Sequence, residues 1–527
     1  MAKLIDLSTD VGHRWAGDVE ARLDLSSSSC ELSCTSKALP ELCDWLFNTA
    51  GYSFAGLVVE EGASQWELRH VFYGEPDMGW VQVLVHRPLG DKRLPSIAAA
   101  VHPADWYERE VEDHFGLTFE GHPRLGDFVL HDDCWQEGLE PMRRCFNGHE
   151  AVRERRPNLN WQPRGIVHAP GSFMMPIGPV FAGISEPVHF LLETVGEDVI
   201  RTIPRLFYKY RGIEKIAEGR TLEDALLLAE RFCGTSAFAH GLAFCQAAEK
   251  ISRAQVPPRA ERLRVFLAEL ERLRHHIATI EAICESTALA VAASQTAILQ
   301  EDLLRLSGAL AGHRYLFGVL CVGGLSRDIG DPDCRAALVT VRSVAGRLEE
   351  IEEMLRLSST FLDRIEEVGI TARPGALAHG LVGPVARAAG IERDLRKAQP
   401  YCGYNALGFD VPVEEEGDGY ARLRILFAEA KQSVRLMEQV VATLPSGPVA
   451  ASQGARQGAA LGWVEAPRGA AACWLRIGED ARVQRYRIMP PSFMNWHGFH
   501  LAAENFAFQD FPIILATFDL SVTENDR

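Results

Sequence analysis

Two hydrophobic rhythms divide the chain. In its first quarter the period is two: "WVQVLVHR" alternates apolar and polar positions as a half-buried strand does, and "ELRHVFYGE" reads as its neighbour. "PDMG" between them supplies turn residues. Residues 1–145 mix such strands with helical stretches, which predicts a small α+β domain. Residues 146–165, "FNGHEAVRERRPNLNWQPRG", lose the rhythm and are rich in Arg, Asn, Pro and Gly, the composition of a linker. A short β region follows around "FLLETVGEDVIRTIP", with "VGED" as its hairpin turn.

From about residue 221 the period becomes helical. "TLEDALLLAERF" opens with Thr221 three residues before Asp224, a capping-box spacing with Asp in place of Glu. "RVFLAELERLRHHIATIEAI", "VRSVAGRLEEIEEMLRLSSTFLDRI" and "YARLRILFAEAKQSVRLMEQVV" have the spacing of long amphipathic helices. Strand-like alternation returns between 462 and 489, with "GED" as a turn, before a final helix in "PPSFMNWHGFHLAAENF". The expected fold class is α+β: the small domain 1–145, the linker 146–165, and a mainly α-helical domain with β appendages over 166–527.

Composition narrows the function. At 527 residues the chain is too long for one typical core. A formal charge of −17 argues against a general nucleic-acid binder, which carries a basic face. No apolar run reaches the roughly 20 residues that span a bilayer, and "ESTALAVAASQTAILQED" is both short and interrupted by polar residues. "MAKLIDLSTDVGHRW" has no sustained apolar stretch, so no signal peptide is expected. The expectation is a cytoplasmic protein, peripheral to the inner (plasma) membrane through partners. Twelve cysteines contain no CxxC pair, so no metal or cluster site of the chain's own is expected, and most thiols read as packing residues.

Longer strings carry a resemblance. "WYEREVEDHFGLTFEGHPRLGDFVLHDD", residues 106–133, resembles the 30-kilodalton subunit of respiratory complex I. On pattern alone its acids fit a solvated helix face; the resemblance makes Glu108, Arg109 and Glu110 interface residues of a scaffold without its own cofactor. "RLFYKYRGIEKIAEGRTLEDALLLAERFCG", "GHRYLFGVLCVGGLSRDI", "GLVGPVARAAGIERDLRKAQPYCGYNALGFDVPV" and "VEAPRGAAACWLRI" follow in order. They resemble the 49-kilodalton subunit of complex I and the related large subunit of membrane-bound (group 4, energy-converting) [NiFe]-hydrogenases. The whole then resembles a fused 30-kDa/49-kDa subunit.

In that superfamily two CxxC pairs hold nickel and iron, whose softness suits thiolates. The matching positions here are Cys233 and Ser236, then Ser521 and Glu524 in "TFDLSVTENDR". One sulfur cannot both bridge and terminate two metals, so a working [NiFe] centre is not expected. The chain also stops at Arg527, so the tail of hydrogenase precursors is not expected, and "D-x-x-x-x-E-x-D-R" from Asp519 to Arg527 resembles complex I. The Tyr, His and Asp that meet quinone in complex I fall at Gly234, Phe181 and Ser286, so the usual donors are missing. His240, Glu524 or Arg468 are the candidate replacements.

Each candidate has an ordinary alternative. Cys233 is a buried packing thiol, an exposed redox thiol or a metal ligand. His240 lies seven residues on, two helical turns, so both face one pocket if the segment is helical; a structural histidine is equally open. Arg211 in "YKYRGIEK" stands where complex I places an arginine beside the [4Fe-4S] cluster of its neighbouring subunit; the alternative is a salt bridge to Glu214 or another acid. Arg468 follows a proline on a β-turn in "APRG", and Ala470 stands where the family often has Glu. Gly323 and Gly324 fit a tight turn, and no phosphate-binding glycine pattern supports direct NAD binding by this chain, although NAD-linked complexes belong to the family.

The resemblance implies electrons arriving from a [4Fe-4S] cluster in a small partner subunit, with a quinone or another small acceptor receiving them. The site would be bordered by Cys233, Ser236, His240, Arg468, Ser521 and Glu524. Ferredoxin-like, membrane-arm and antiporter-like subunits complete the expected complex, coupled to ion translocation. A catalytically silent scaffold or coupling subunit, and an atypical hydrogenase, remain the alternatives.

Overall fold

The computed structural model describes residues 2–24, 28–136, 138–149, 158–162, 165, 170–181, 186–452, 454 and 456–527. Much of the predicted linker, and residues 182–185 of "GPVFAGISEPVHF", lie outside the described residues. The N-terminal part carries α1 (Ala2–Arg14), α2 (Leu39–Asp44), α3 (Ala104–Phe115), β1 (Val19–Asp24), β2 (Ser29–Cys34), β3 (Ser53–Glu61), β4 (Gln65–Tyr73) and β5 (Trp80–Pro88). The five strands form one sheet in the order β1-β2-β5-β4-β3, with only β2 and β5 parallel. Both strands expected from the alternating pattern are present, joined across Gly74–Gly79. β5 is more buried than half-exposed alternation implies, because the sheet is covered on both faces at its centre.

β6 (Arg93–Pro95) pairs with β7 (Thr118–Glu120). The predicted hairpin is β9 (His189–Val195) and β10 (Asp198–Arg205), and β8 (Ser172–Ile177) adds an edge strand that the pattern did not reveal. The helical part runs through α4 (Ile213–Ala217), α5 (Leu222–Arg231), α6 (Ala237–Ser252), α7 (Pro258–Ser286), α8 (Ala290–Ala311) and α9 (Asp331–Arg356). Between α8 and α9, β11 (Leu320–Cys321) and β12 (Gly324–Leu325) form a minimal ladder around Val322 and Gly323. α10 (Ser359–Ile365), α11 (Arg373–Ala378), α12 (Gly383–Ala388), α13 (Leu395–Ala398) and α14 (Gly419–Ala442) follow. Then come β13 (Gly458–Ala466), β14 (Gly469–Ile477), β15 (Val483–Met489), α15 (Pro491–Gly498) and α16 (Phe511–Phe518).

Local chemistry explains several ends. Thr221 caps α5 by accepting from the Asp224 N–H at 3.2 Å, a contact generally worth about 1 kcal/mol. The β13–β14 hairpin leaves Pro467 and Arg468 at its tip. Gly469 there has φ +130°, and a Cβ on it would lie 2.6 Å from the Gly383 nitrogen. Glycine at both positions lets the tip seat against backbone.

Two expectations change. α7 is a helix as predicted, but it is buried nearly all round rather than amphipathic. Its charges are matched instead of solvated: Arg264 with Glu249 at 2.6 Å, Arg396 with Glu269 at 3.0 Å, and His276 with Glu429 at 2.8 Å. The acid run of α3 is not a free face either. Glu108 and Glu110 are fully buried and Arg109 nearly so. Ser96 and the Ile97 N–H donate to Glu108, while Arg109 donates to the Gly126 and Asp127 carbonyls. Glu110 accepts from Arg487 at 2.6 Å and Arg527 at 2.9 Å. The interface that Glu110 serves is internal.

The N-terminal sheet and the later β strands share one hydrophobic cluster. Trp80 meets Trp463 with ring centroids 5.0 Å apart, and Tyr107 meets Phe493 at 4.7 Å. A second cluster fills the helices around α6, α7 and α14. No helix of the described residues is long and apolar enough to cross a membrane.

Candidate functional site

The chain reaches the site from four directions: the segment between α5 and α6, the β13–β14 tip, α7, and the C-terminal stretch after α16. α5 ends at Arg231, Cys233 is extended (φ −133°, ψ 106°), and a 3-10 turn over Gly234–Ser236 leads into α6. Cys233 and His240 are therefore not two turns apart on one helix. They meet through the bend instead, and the Phe232 ring lies 4.5 Å from the His240 ring between centroids.

Arg468 gathers the parts. Its Nε donates to the Asp519 carbonyl at 2.7 Å and its Nη2 to the Asp519 carboxylate at 3.2 Å. Its Nη1 donates to Thr235 Oγ1 at 2.9 Å and Ser236 Oγ at 3.4 Å, and lies 3.5 Å from Glu524 Oε1. Glu524 also faces His240 Nε2 at 3.3 Å and accepts from the Ser492 N–H at 3.2 Å. Ser521 Oγ accepts from the Glu524 N–H at 3.1 Å, so both later ligand positions belong to one turn. Glu186 anchors that turn, accepting from the Ser521 and Thr523 hydroxyls and the Val522 N–H.

Electrostatics follow from the burial. Burial alone would raise the Glu524 carboxyl, but His240 and Arg468 overcome it and hold the group well below the usual carboxylate range. Asp519 is likewise lowered against its burial, chiefly by Arg468 and His275. Arg468 is raised, because Asp519 and Glu524 outweigh its desolvation. Burial, helped by the charge of Glu524, pushes the Cys233 thiol up to about 11. At 2% exposure with Thr235 Oγ1 at 3.3 Å, Cys233 has the character of a protonated packing thiol, not of an exposed redox thiol.

The four ligand positions do not fit a [NiFe] centre. One is a lone cysteine, two are hydroxyls, and the carboxylate is already engaged by His240, Arg468 and a backbone N–H. A guanidinium held against Ser236 and Glu524 puts positive charge beside two of the four positions. No group of three His, Cys, Asp or Glu among the described residues could hold a metal ion.

The three positions aligned with the quinone-binding Tyr, His and Asp do not form a donor set. Gly234 has no side chain, Phe181 is apolar, and the Ser286 hydroxyl donates to the Ile283 carbonyl of its own helix at 2.8 Å. Another His–Asp pair stands beside Arg468: His275 Nε2 lies 2.5 Å from Asp519 Oδ2. Burial lowers His275 to about 4 against the pull of Asp519. Sequence reasoning passed over this pair, whose only signal was the doubled histidine in "RLRHH".

Arg211 is exposed and donates to three backbone carbonyls: Asp526 at 2.8 Å, Phe232 at 2.7 Å and Thr523 at 2.7 Å. The alternative salt bridge to Glu214 is not what it makes. Glu214 pairs with Arg485, Arg487 and Arg527. Arg211 thus ties the Cys233 bend to the C-terminal stretch while keeping its charge at the surface. The expected site residues pack against one another, and a cavity of about 970 Å³ lies elsewhere, lined by Trp106, Trp161 and Phe207 among others.

Known proteins align with these parts in order. Residues 32–152 match the family model for the respiratory-chain NADH dehydrogenase 30 Kd subunit. Residues 294–459 and 452–527 match that for the 49 Kd subunit, and residues 211–280 match the nickel-dependent hydrogenase model. The chain is 29% identical over 454 residues to formate hydrogenlyase subunit 5 of Escherichia coli, spanning 85% of this chain and 79% of that one. It is 30% identical over 355 residues to an NADH-quinone oxidoreductase subunit of Solibacter usitatus, spanning 67% of this chain and 96% of that one. Among solved structures it is similar to a chain of the membrane-bound sulfane sulfur reductase, an archaeal respiratory membrane complex. The TM-score is 0.65 and the identity 26%, over 68% of this chain and 99% of the other.

Proposed function

The chain belongs to the family of fused 30-kDa/49-kDa subunits of respiratory complex I, related to the large subunits of group 4 [NiFe]-hydrogenases, and from this premise we propose that it delivers electrons to a quinone or another small acceptor. It is a subunit of an oxidoreductase complex. In this reading the electrons come from a [4Fe-4S] cluster held by a small partner that docks near Arg211. A cation at that surface favours the reduced, more negative cluster. Ferredoxin-like, membrane-arm and antiporter-like subunits supply the upstream electrons and the coupling to ion translocation, and hold this chain peripheral to the inner membrane.

The observation that carries the reading is the set His240–Glu524–Arg468–Asp519–His275, assembled at the former metal positions. Quinone reduction needs proton donors and a fixed positive charge, and this set offers both without a metal. The test is quinone-dependent oxidation of the purified complex: activity abolished in His240→Ala and Arg468→Ala supports the reading.

A second reading is a silent coupling subunit. The close packing of Arg468, with every guanidinium nitrogen engaged, favours it. An intact complex with no acceptor reduction would establish that reading and end the first. Nickel in an active complex would instead revive the hydrogenase alternative, which the donor set opposes.

A further inference from the structure

The cavity of about 970 Å³ lies at the joint between the N-terminal part and the strands and helices that follow, and none of the proposed site's residues lines it. Small-molecule sites have volumes of about 300–1,000 Å³. α3 lines one side with Asp105, Trp106 and Arg109, together with the segment after β7 that carries Phe128. β10 lines another with Arg201, Thr202 and Arg205, and α15 adds Trp496 and His497.

Aromatic rings form a continuous wall. The Trp106 ring lies 5.1 Å from Phe128 and 5.8 Å from His497 between centroids, and Phe128 lies 5.0 Å from Phe207. Such walls suit the faces of flat rings. They also attract cations, but the protein's own cations already cover two of the lining rings. The Arg109 guanidinium lies 4.3 Å over Phe128, and that of Arg205 lies 3.9 Å over Trp161. A cationic ligand would meet those guanidiniums at close range, so the ring that fits here is neutral or belongs to an anion.

Three buried polar atoms of lining residues have no hydrogen-bond partner among the described residues: His497 Nδ1, Thr202 Oγ1 and Arg109 Nε. Their residues are 9%, 2% and 6% exposed. Buried polar atoms are nearly always paired, so a group of three facing a cavity calls for a partner. Asp105 explains the first. A carboxylate only accepts, so the His497 Nε2 that faces Asp105 Oδ2 at 3.5 Å carries the hydrogen, and Nδ1 is left over. The other Asp105 oxygen faces His122 Nε2 at 3.2 Å.

Charge points the same way. Asp105 is taken up by these two imidazoles, and Asp127 by Arg205 at 3.4 Å and the Trp161 Nε1 at 2.7 Å. Arg109 donates to the Gly126 and Asp127 carbonyls, and Arg124 and Arg201 line the cavity without an ion pair among the described residues. These three guanidiniums stand against Asp132 and the exposed Glu504, which leaves room for one negative charge. Guanidiniums match the oxygens of a phosphate.

We propose that this cavity binds a planar heteroaromatic anion of the mononucleotide class. The ring lies against the Trp106–Phe128–Phe207 wall, its heteroatoms pair with His497 Nδ1 and Thr202 Oγ1, and its phosphate meets the guanidiniums that lack an ion pair. The site is separate from the acceptor site and stands whether or not the acceptor reading holds.

Calorimetric titration of the purified complex with adenosine 5′-monophosphate tests it. One AMP per chain is expected to bind. Adenosine and inorganic phosphate are each expected to bind at least about tenfold more weakly, because each offers only half of the chemistry. Arg201→Gln is expected to weaken AMP about tenfold and Thr202→Val about threefold. Both changes remove groups that have no partner within the protein, so both variants are expected to fold, with the melting midpoint of the AMP-free complex unchanged. No AMP binding overturns the proposal. So does an affinity that is the same in both variants as in the wild type, which puts the nucleotide on another subunit, and so does phosphate binding as tightly as AMP.

Discussion

Glu110 and Glu524 are both completely buried acids, and both are answered by arginine. Around Glu110 the answer is over-complete: Glu110 and Glu214 face Arg485, Arg487 and Arg527. Around Glu524 it is incomplete. Glu524 and Asp519 share one arginine, Arg468, and are otherwise met by His240 and His275. Guanidiniums stay charged at any working pH, so the first network is a fixed fastener between α3, α4 and β15. The second leans partly on imidazoles, which hold a proton far more weakly than a guanidinium, and burial lowers His275 to about 4. The contrast separates buried acids answered only by guanidiniums from buried acids answered partly by imidazoles.

The largest effect expected from breaking this contrast is at the fastener. Arg487→Met leaves Glu110 with Arg527 alone and Glu214 with Arg485 and Arg527, and loss of one partner of a buried pair costs about 3–5 kcal/mol. Its denaturation midpoint should fall sharply, whereas the same change at exposed Arg342, paired with Glu438, should move it by less than about 1 kcal/mol. At the site, Arg468→Lys keeps the charge and loses the fork that joins Thr235, Ser236 and Asp519. Acceptor reduction is expected to drop by about 10²-fold with a smaller loss of stability, measured as kcat against midpoint on the same preparation.

pH sharpens the comparison next. Glu110 and Glu524 are lowered in the folded state, so their stabilisation is complete above the ordinary carboxylate range and is lost as pH falls through their folded values. Glu108, Asp113 and Glu465 are raised to about 7 by burial first, so their contribution is complete in acid and is lost as pH rises through 7. Followed by melting, the stabilisation from these raised acids should therefore decline as pH climbs out of the ordinary carboxylate range and be used up by about pH 7, while the lowered acids weaken the fold at the acid end. The smallest effect is expected at Cys233. Cys233→Ser should leave acceptor reduction within about twofold, and a thiol reagent should not label Cys233 in the folded complex, because a protonated buried thiol is a poor nucleophile.

The helical and strand rhythms made most elements legible, down to the Thr221 cap and the Arg468 hairpin tip. Period alone misread α7, because a helix that buries matched charges has the same spacing as one that exposes them. It misread the acids of α3 for the same reason: the partners of Glu110 lie 377 and 417 residues away. At the site, the resemblance brought Ser236, Ser521 and Glu524 to attention as ligand positions and His240 and Arg468 as replacements for the missing quinone donors, and they do meet. Asp519 and His275 are 244 residues apart, and no local pattern marks their pairing. β8 was hidden because a short edge strand has too little alternation to register.

The central claim is that the former metal positions now serve proton-coupled electron transfer without nickel. The direct measurement is electron paramagnetic resonance of the partner [4Fe-4S] cluster in the pre-reduced, nickel-free complex, frozen after mixing with ubiquinone. The account predicts that the cluster signal disappears in the wild type and persists in Arg468→Ala and His240→Ala. A signal that persists in the wild type, or that is lost equally fast in both variants, would contradict it.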